Sequence, residues 1–260
     1  MQLADKVAVV TGGGHGIGRA LCERFASEGL RGLIVADIDF DAAVAVAEAT
    51  KGLALRCDVS QELEVQSLVK KSLKAFGRID LFCSNAGITI KGGLETSNSD
   101  WQRMWDVNVM SRLFAARAVV PVMLEQGGGY LLQTVSAAGL LTEIGSASYA
   151  ATKHADLAFA EWLAIQYGRS GIRVSCLCPM AVATHMIDHE DPIHQYLDVS
   201  SISVAEVAEA VVQGIESEKF LILPHTHVAD YLKLKSEDFD RWVKGMQRMR
   251  EKMTRRKRMA

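Results

Sequence analysis

Tyr149 and Lys153 stand four residues apart in "SYAATKHA", a spacing that brings both side chains to one face of a helix. An ammonium beside a phenol favours the phenolate, so this pair could exchange a proton with an alcohol or carbonyl oxygen. A Tyr-x-x-x-Lys alone is a weak signal, because it occurs by chance on many helix surfaces. Ser136, thirteen residues earlier in "QTVSAAG", closes an apolar run of strand length. A hydroxyl there could donate to the substrate oxygen or hold Tyr149 in place. Asn108, in "WDVNVM", falls within a long helical stretch, where a buried amide must find partners; it could bind a water that links Lys153 to solvent. Taken singly, Ser136 and Asn108 also read as a loop hydroxyl and a satisfied core amide.

A second cluster lies near the start. "TGGGHGIG", residues 11–18, follows a short apolar run and opens a helical pattern. The strict G-x-G-x-x-G does not fit, but Gly12, Gly16 and Gly18 keep a looser spacing, with Gly14, His15 and Ile17 between them. A strand–glycine loop–helix start presents backbone N–H groups and the positive end of a helix to a pyrophosphate. Asp37 ends the next apolar run, 19 residues past Gly18, where a carboxylate accepts both ribose hydroxyls of an adenosine. No Arg or Lys occupies positions 38–40, Ile38 being apolar, and His15 is neutral for most of its time at pH 7. NAD is therefore expected over NADP. Asp37 could instead cap the following helix, although Asp39 is better placed for that. Bringing the Tyr149 phenol to a pKa of about 7 takes roughly 4 kcal/mol, which Lys153 and a nicotinamide charge together could supply.

The elements that must position these groups follow from periodicity. "KVAVVTG", "GLIVAD", "LALRCDV", "RIDLFCSNAG", "GGYLLQTVS", "IRVSCLCP" and "KFLILP" are seven apolar runs of strand length. Between them lie helical stretches, among them roughly 60–76 with Leu63, Leu68 and Leu73 inward, Ser99 to Glu125, 148–169 and 203–217. The prediction is an α/β fold: a single-domain Rossmann fold with a seven-stranded parallel sheet and helices on both faces. Residues 1–224 form the cofactor-binding and catalytic domain, and 225–260 a helical extension with a basic tail, Arg255 to Arg258. In that extension Phe239, Trp242, Met246, Met249 and Met253 repeat at 3, 4, 3, 4. This stripe reads as a docking face for its own subunit or a neighbour, or as a cap over a ligand.

Together these motifs resemble the short-chain dehydrogenase/reductase family, from residue 4 to about 224. The family's T-G-x-x-x-G-x-G is Thr11 to Gly18, its N-A-G is Asn85, Ala86 and Gly87, and its Asn-Ser-Tyr-Lys tetrad is Asn108, Ser136, Tyr149 and Lys153. By that resemblance Asp58 and Val59 touch adenine, Lys153 holds the nicotinamide ribose, and Pro179, Val182 and Thr184 meet the nicotinamide end. The resemblance also implies hydride transfer between nicotinamide C4 and a carbinol carbon, and a homotetramer or homodimer. Two departures stand out: Ser84 precedes Asn85 where an Asn is frequent, and Met180 follows Pro179 where the family usually has Gly. Met180 is expected to narrow the pocket and make it more apolar. With Ser136, Ala138, Leu140, Leu141, Ile144, Tyr149 and Met186 it outlines a substrate pocket, and His185 or Glu143 could add a polar contact.

The 260 residues carry a net charge of −2, with 49% hydrophobic and 23% charged residues. That balance argues against general affinity for nucleic acid or membranes, and no signal-like or spanning apolar run is evident. Five scattered cysteines read as reduced and buried, and the compartment as cytoplasmic. His189-Glu190 fails the H-E-x-x-H spacing, His225 and His227 lack a third partner, and Cys176 and Cys178 read as small core residues, so no metal is expected. The leading expectation is an NAD(H)-dependent oxidoreductase acting on a secondary alcohol or ketone of apolar character. Alternatives are an NADP-dependent carbonyl reductase and a non-catalytic NAD-binding sensor.

Overall fold

The computed structural model describes residues 1–184 and 201–257. Seven strands pair in parallel, β1 (Val7–Thr11), β2 (Gly32–Asp37), β3 (Leu53–Arg56), β4 (Leu81–Ser84), β5 (Gly129–Thr134), β6 (Ile172–Leu177) and β7 (Leu221–Ile222). Their order is β3-β2-β1-β4-β5-β6-β7, so the direction of winding reverses between β1 and β4. A crevice opens at such a switch point, beyond the carboxyl ends of the strands. β1, buried at every residue, shows why the runs are continuously apolar. Val7 and Val9 pack into one core layer and Ala8 and Val10 into the other, so each face of the pleat needs a covering of helices.

On one side lie α1 (Gly16–Ala26), α2 (Phe40–Thr50) and, later in the chain, α8 (Val204–Glu216). On the other lie α3 (Glu62–Phe76), α5 (Ser111–Glu125) and α7 (Ala147–Tyr167). Asp39 caps α2 by accepting from the Ala42 N–H, which leaves Asp37 to other work. Ser203 and Glu206 form a reciprocal capping box on α8. All five cysteines are free and buried. In α3, Leu68 is buried and Leu73 packs on the core. Leu63, expected inward, is 79% exposed; it lies in the first turn of α3, short of the stripe that Val65, Leu68, Val69 and Ser72 bury.

The stretch expected as one helix from Ser99 to Glu125 is α4 (Asn98–Trp105), a π-turn at Asp106–Met110, and α5. Asn98–Glu125 is long and apolar enough by composition to cross a membrane. Here Met104, Ala115, Val119 and Met123 are instead fully or almost fully buried in the fold. The short α6 (Ala138–Leu141) follows β5, and α9 (His227–Glu237) and α10 (Phe239–Lys257) close the chain. The seventh strand is only Leu221–Ile222, shorter than "KFLILP" suggested. α9 is fastened to the body by Lys235, whose ammonium donates to the Leu140 carbonyl at 2.6 Å and lies 3.5 Å from His154 Nε2. Helix α10 continues through three of the four basic residues expected as a loose tail; Arg258 lies outside the described residues.

Candidate active site

A cleft of about 1240 Å³ runs from the β1–α1 loop, across the ends of β4 and β5, to α9 and α10. At its first end the glycines take distinct parts. Gly12 and Gly16 have φ of +64° and +49°, conformations that cost an L side chain and suit glycine. A Cβ on Gly12 would stand 2.9 Å from the Ala86 Cα, and one on Gly18 would stand 1.9 Å from the Gly12 carbonyl oxygen. Gly18 therefore lets helix and loop close on each other and does not face the cleft. Gly14 does not face it either: its N–H donates to Asp37 Oδ2 at 2.9 Å. Helix α1 starts at Gly16 with no side-chain cap and no acidic residue in its first turn, leaving an open positive terminus.

Asp37, Ile38, Asp58 and Val59 also line the cleft, as do Ile17 and His15, whose Nε2 lies 3.0 Å from Asp39 Oδ2. Asp37 is buried and Ile38 is 58% exposed. Asp37 Oδ1 accepts from the Asp39 N–H at 3.0 Å, so the carboxylate is clamped at both oxygens. Asp58 accepts from the Ser60 N–H and hydroxyl. Asn85 ties three strand ends together: its amide donates to the Thr11 and Gly12 carbonyls and accepts from the Thr134 hydroxyl. Ala86 and Gly87 complete that stretch of wall. Uncapped helix start, glycine cradle and clamped carboxylate are the donors and acceptor that an adenine dinucleotide needs.

The acid/base group lies at the middle of the cleft. Ser146 caps α7 by accepting from the Tyr149 N–H, which sets Tyr149 in the first turn and Lys153 one turn on. The Lys153 ammonium lies 5.6 Å from the Tyr149 ring centre and donates to the Thr134 carbonyl at 2.9 Å. Ser136, just past β5, has φ of +102°; its hydroxyl accepts from the Ala138 N–H and donates to the Pro179 carbonyl, and it lowers the Tyr149 phenol. Asn108 is fully buried in the π-turn. It exchanges hydrogen bonds with the Ile88 backbone and donates to the Thr152 hydroxyl. A Cβ on Gly87 would lie 3.3 Å from Asn108 Oδ1 and 3.7 Å from Lys153 Nζ, so the amide stands behind the wall beside the ammonium. Such π-turns recur at functional sites, where the extra residue re-aims a side chain.

Burial governs the electrostatics of the pair. Burial pushes the Tyr149 phenol up to about 12, and the Ser136 hydroxyl only partly offsets it. Burial also brings Lys153 down to about 8, against the pull of Asp156. The single ammonium does not bring the phenol near 7, because desolvation acts on both members of the pair.

At the far end, Ile144, Met180, Pro179, Val182, Thr184 and Ala138 line the cleft. Leu141 does so as well, whereas Leu140 turns into the core and offers only its carbonyl to Lys235. Glu143 is folded onto the Gly145 N–H. Met180 is held from behind: its N–H donates to His225 Nδ1 at 3.2 Å, and its sulfur lies 3.0 Å from His227 Nε2. The two histidines thus serve the residue that replaces the usual glycine. His185 and Met186 lie outside the described residues. Trp242, Met246, Met249 and Met253 of the C-terminal stripe line the cleft, while Phe239 is 60% exposed. Periodicity had left the stripe's target open; its target is the cleft. Thr134, Arg112 and Asp156 escaped notice. The signal that could have found the last two is a charge inside an apolar helical run: Arg112 in "SRLFAARAVV", which also holds Arg117, and Asp156 in "HADLAFA".

A family model described as short chain dehydrogenase matches residues 6–215. The chain is 34% identical over 251 residues to 1-deoxy-11-beta-hydroxypentalenate dehydrogenase of Streptomyces exfoliatus, covering 93% of this chain and 90% of that protein. It is 37% identical over 207 residues to 2,5-dichloro-2,5-cyclohexadiene-1,4-diol dehydrogenase of Sphingobium indicum, covering 76% and 82%. A crystal structure of a short chain dehydrogenase/reductase from Burkholderia phymatum in complex with NAD superposes with a TM-score of 0.85 at 31% identity, over 92% of this chain and 96% of that one. With its sheet order, glycine cradle and Tyr149–Lys153 pair, this chain belongs to the short-chain dehydrogenase/reductase family.

Proposed function

We propose that this chain is an NAD(H)-dependent oxidoreductase that interconverts a secondary alcohol and its ketone, with a substrate whose body is apolar. The observation that carries the reading is the convergence, in one cleft, of the glycine cradle, the clamped Asp37 and the Ser136–Tyr149–Lys153 group. Bound NAD supplies the hydride chemistry, taking the carbinol C–H with its electron pair as the ketone forms. Tyr149, as the phenolate, takes the hydroxyl proton, and as the phenol it gives a proton to the carbonyl oxygen in the reverse direction. Ser136 orients the same oxygen. Lys153 keeps a third N–H for a ribose hydroxyl once Thr134 and Asp156 have taken the others.

Asp37 favours NAD over NADP by like-charge repulsion of a 2′-phosphate. Relatives named for a hydroxypentalenate and a cyclohexadienediol, together with Met180, Ile144, Leu141, Trp242 and Met246 along the wall, support a hydrophobic alcohol. We read residues 1–224 as the cofactor-binding and catalytic domain and 225–260 as an extension that completes its substrate end. Trp162 and Ile165, exposed on α7, favour burial in a homodimer or homotetramer, and the reduced thiols a cytoplasmic setting.

NADH titration and turnover on secondary alcohols and ketones, for wild type and Tyr149→Phe, test the proposal. The variant is expected to bind NADH with unchanged affinity and to lose about 10²–10⁴-fold in kcat. Retained turnover would remove the role from Tyr149, and binding without turnover in wild type would favour the sensor.

A further inference from the structure

Behind the Tyr149–Lys153 pair lies a buried ion pair that none of the above uses. Arg112 of α5 and Asp156 of α7 are 1% and 0% exposed. Asp156 Oδ2 lies 3.4 Å from Arg112 Nε and 3.5 Å from Lys153 Nζ, so one oxygen is shared almost equally by two cations. Tyr149, Lys153 and Asp156 fall at i, i+4 and i+7 on α7, one face of that helix. Arg112 also donates to the Ala86 carbonyl at 2.8 Å, directly behind the cleft wall.

The pair is poorly built for stability. An Arg–carboxylate contact is strong when bidentate and fully hydrogen-bonded. Here Arg112 Nη2 and Asp156 Oδ1 have no hydrogen-bond partner among the described residues. Buried charge in such a geometry costs more than a packed leucine pair would, so its position against the acid/base group calls for another account.

We propose that Arg112 and Asp156 are positioning residues that set the charge on the acid/base site. Asp156 holds Lys153 as the ammonium, and Arg112 cancels the opposing effect of the Asp156 carboxylate on Tyr149. The three together present one net positive charge to the phenol. Lysine alone would give the same net charge, but without a carboxylate to hold its proton inside a dry wall. The other groups facing this cluster are Glu143 toward Tyr149, and the Cys176 and Cys178 thiols of the β6 end toward Asp156. The thiols stay neutral, since burial raises both. Asp156 raises and Arg112 lowers the Tyr149 phenol, and on Lys153 the upward pull of Asp156 outweighs the downward push of Arg112.

The inference rests on Tyr149 as the proton-exchanging group, and its test separates the two. In the full-length protein saturated with NAD, Tyr149 ionisation is followed by ultraviolet difference titration against Tyr149→Phe, alongside the pH profile of kcat/KM for alcohol oxidation. Asp156→Asn is expected to move both midpoints down by about one pH unit, and Arg112→Met to move them up by about as much. The double variant Arg112→Met/Asp156→Leu should return within about half a unit of wild type, and it removes both buried charges should a single variant fail to fold. NADH affinity should stay within about threefold throughout, given that neither side chain lines the cleft. Loss of kcat with unmoved midpoints, or shifts of the same sign in both single variants, would overturn the proposal. Retained turnover in Tyr149→Phe would instead refute the reading beneath it.

Discussion

Replacing Asp37 by Ala and Ile38 by Arg should transfer the cofactor preference from NAD to NADP. The Asp37 carboxylate cannot swing away from an incoming 2′-phosphate, because the Gly14 and Asp39 N–H groups hold its two oxygens at 2.9 and 3.0 Å. Leaving would cost both hydrogen bonds, about 1 kcal/mol each. Staying means like charges at close range, about 4 kcal/mol at ~4 Å and an effective dielectric constant of about 20. Salt and the water at the cleft rim reduce that to about 2 kcal/mol, so either route disfavours NADP by roughly 30-fold. Removing the carboxylate abolishes this penalty. Ile38 is 58% exposed, so an arginine fits there without disturbing the core, and its charge-assisted bonds to phosphate contribute about 2 kcal/mol in the opposite sense. The double variant should therefore change the NADPH-to-NADH affinity ratio by about 10³-fold, and Asp37→Ala alone by about 30-fold. Fluorescence titration with both reduced cofactors, at low and high salt, measures it. A ratio in the double variant within about threefold of wild type would refute the electrostatic argument, as would a preference that salt leaves untouched.

Two further outcomes test other parts of the structure. Trp242→Ala removes an apolar wall contributed by α10, and loss of about 1–2 kcal/mol of apolar contact should raise KM for hydrophobic ketones about tenfold. Because ground and transition states share that contact, kcat should be unchanged; a fall in kcat with KM constant would place Trp242 elsewhere in the mechanism. The second outcome concerns alkaline stability. Burial raises the Cys57 and Cys178 thiols to about 12 and also pushes up the Cys22, Cys83 and Cys176 thiols. Above about pH 9 the unfolded chain sheds these protons while the folded chain keeps them. The unfolded state then binds fewer protons, so stability falls as pH rises, by about 1.4 kcal/mol per pH unit for each thiol. Lys153, lowered from 10.5 to about 8, and Lys235, also lowered by burial, act in the opposite sense, but they are two groups against five thiols and the raised phenols of Tyr130 and Tyr149. Thermal melts under reducing conditions should show Tm dropping with increasing slope above about pH 9; a Tm that holds level to about pH 10.5 would contradict the burial of these thiols.

Much of the nucleotide end was legible because its signals are local. A strand, a glycine loop and a helix start are contiguous, and Asp37 follows at a distance fixed by one βαβ turn. The tetrad was legible as types and spacing, since Tyr149 and Lys153 share one helix and Ser136 follows the strand before it. Less legible was what depends on how distant elements pack. Beside Lys153 alone the Tyr149 phenol lies above 10, because the same burial that brings Lys153 close also penalises both charged forms. Leu63 matched an apolar pattern and still faces solvent, because a period gives spacing without saying which residues reach the sheet. Arg112 and Asp156 are 44 residues apart in the chain, and each reads as an oddity until α5 and α7 are packed together.

The sequence by itself determined the element order, the parallel sheet and the residue types at the cofactor loop and tetrad, because hydrophobic period and glycine spacing act within a few residues. Tertiary structure alone decided that the Met-rich C-terminal stripe borders the cleft, that His225 and His227 hold Met180, and that one buried carboxylate oxygen is shared by Arg112 and Lys153. Those relations depend on where distant helices come to rest, and desolvation and charge coupling exist only once they have packed.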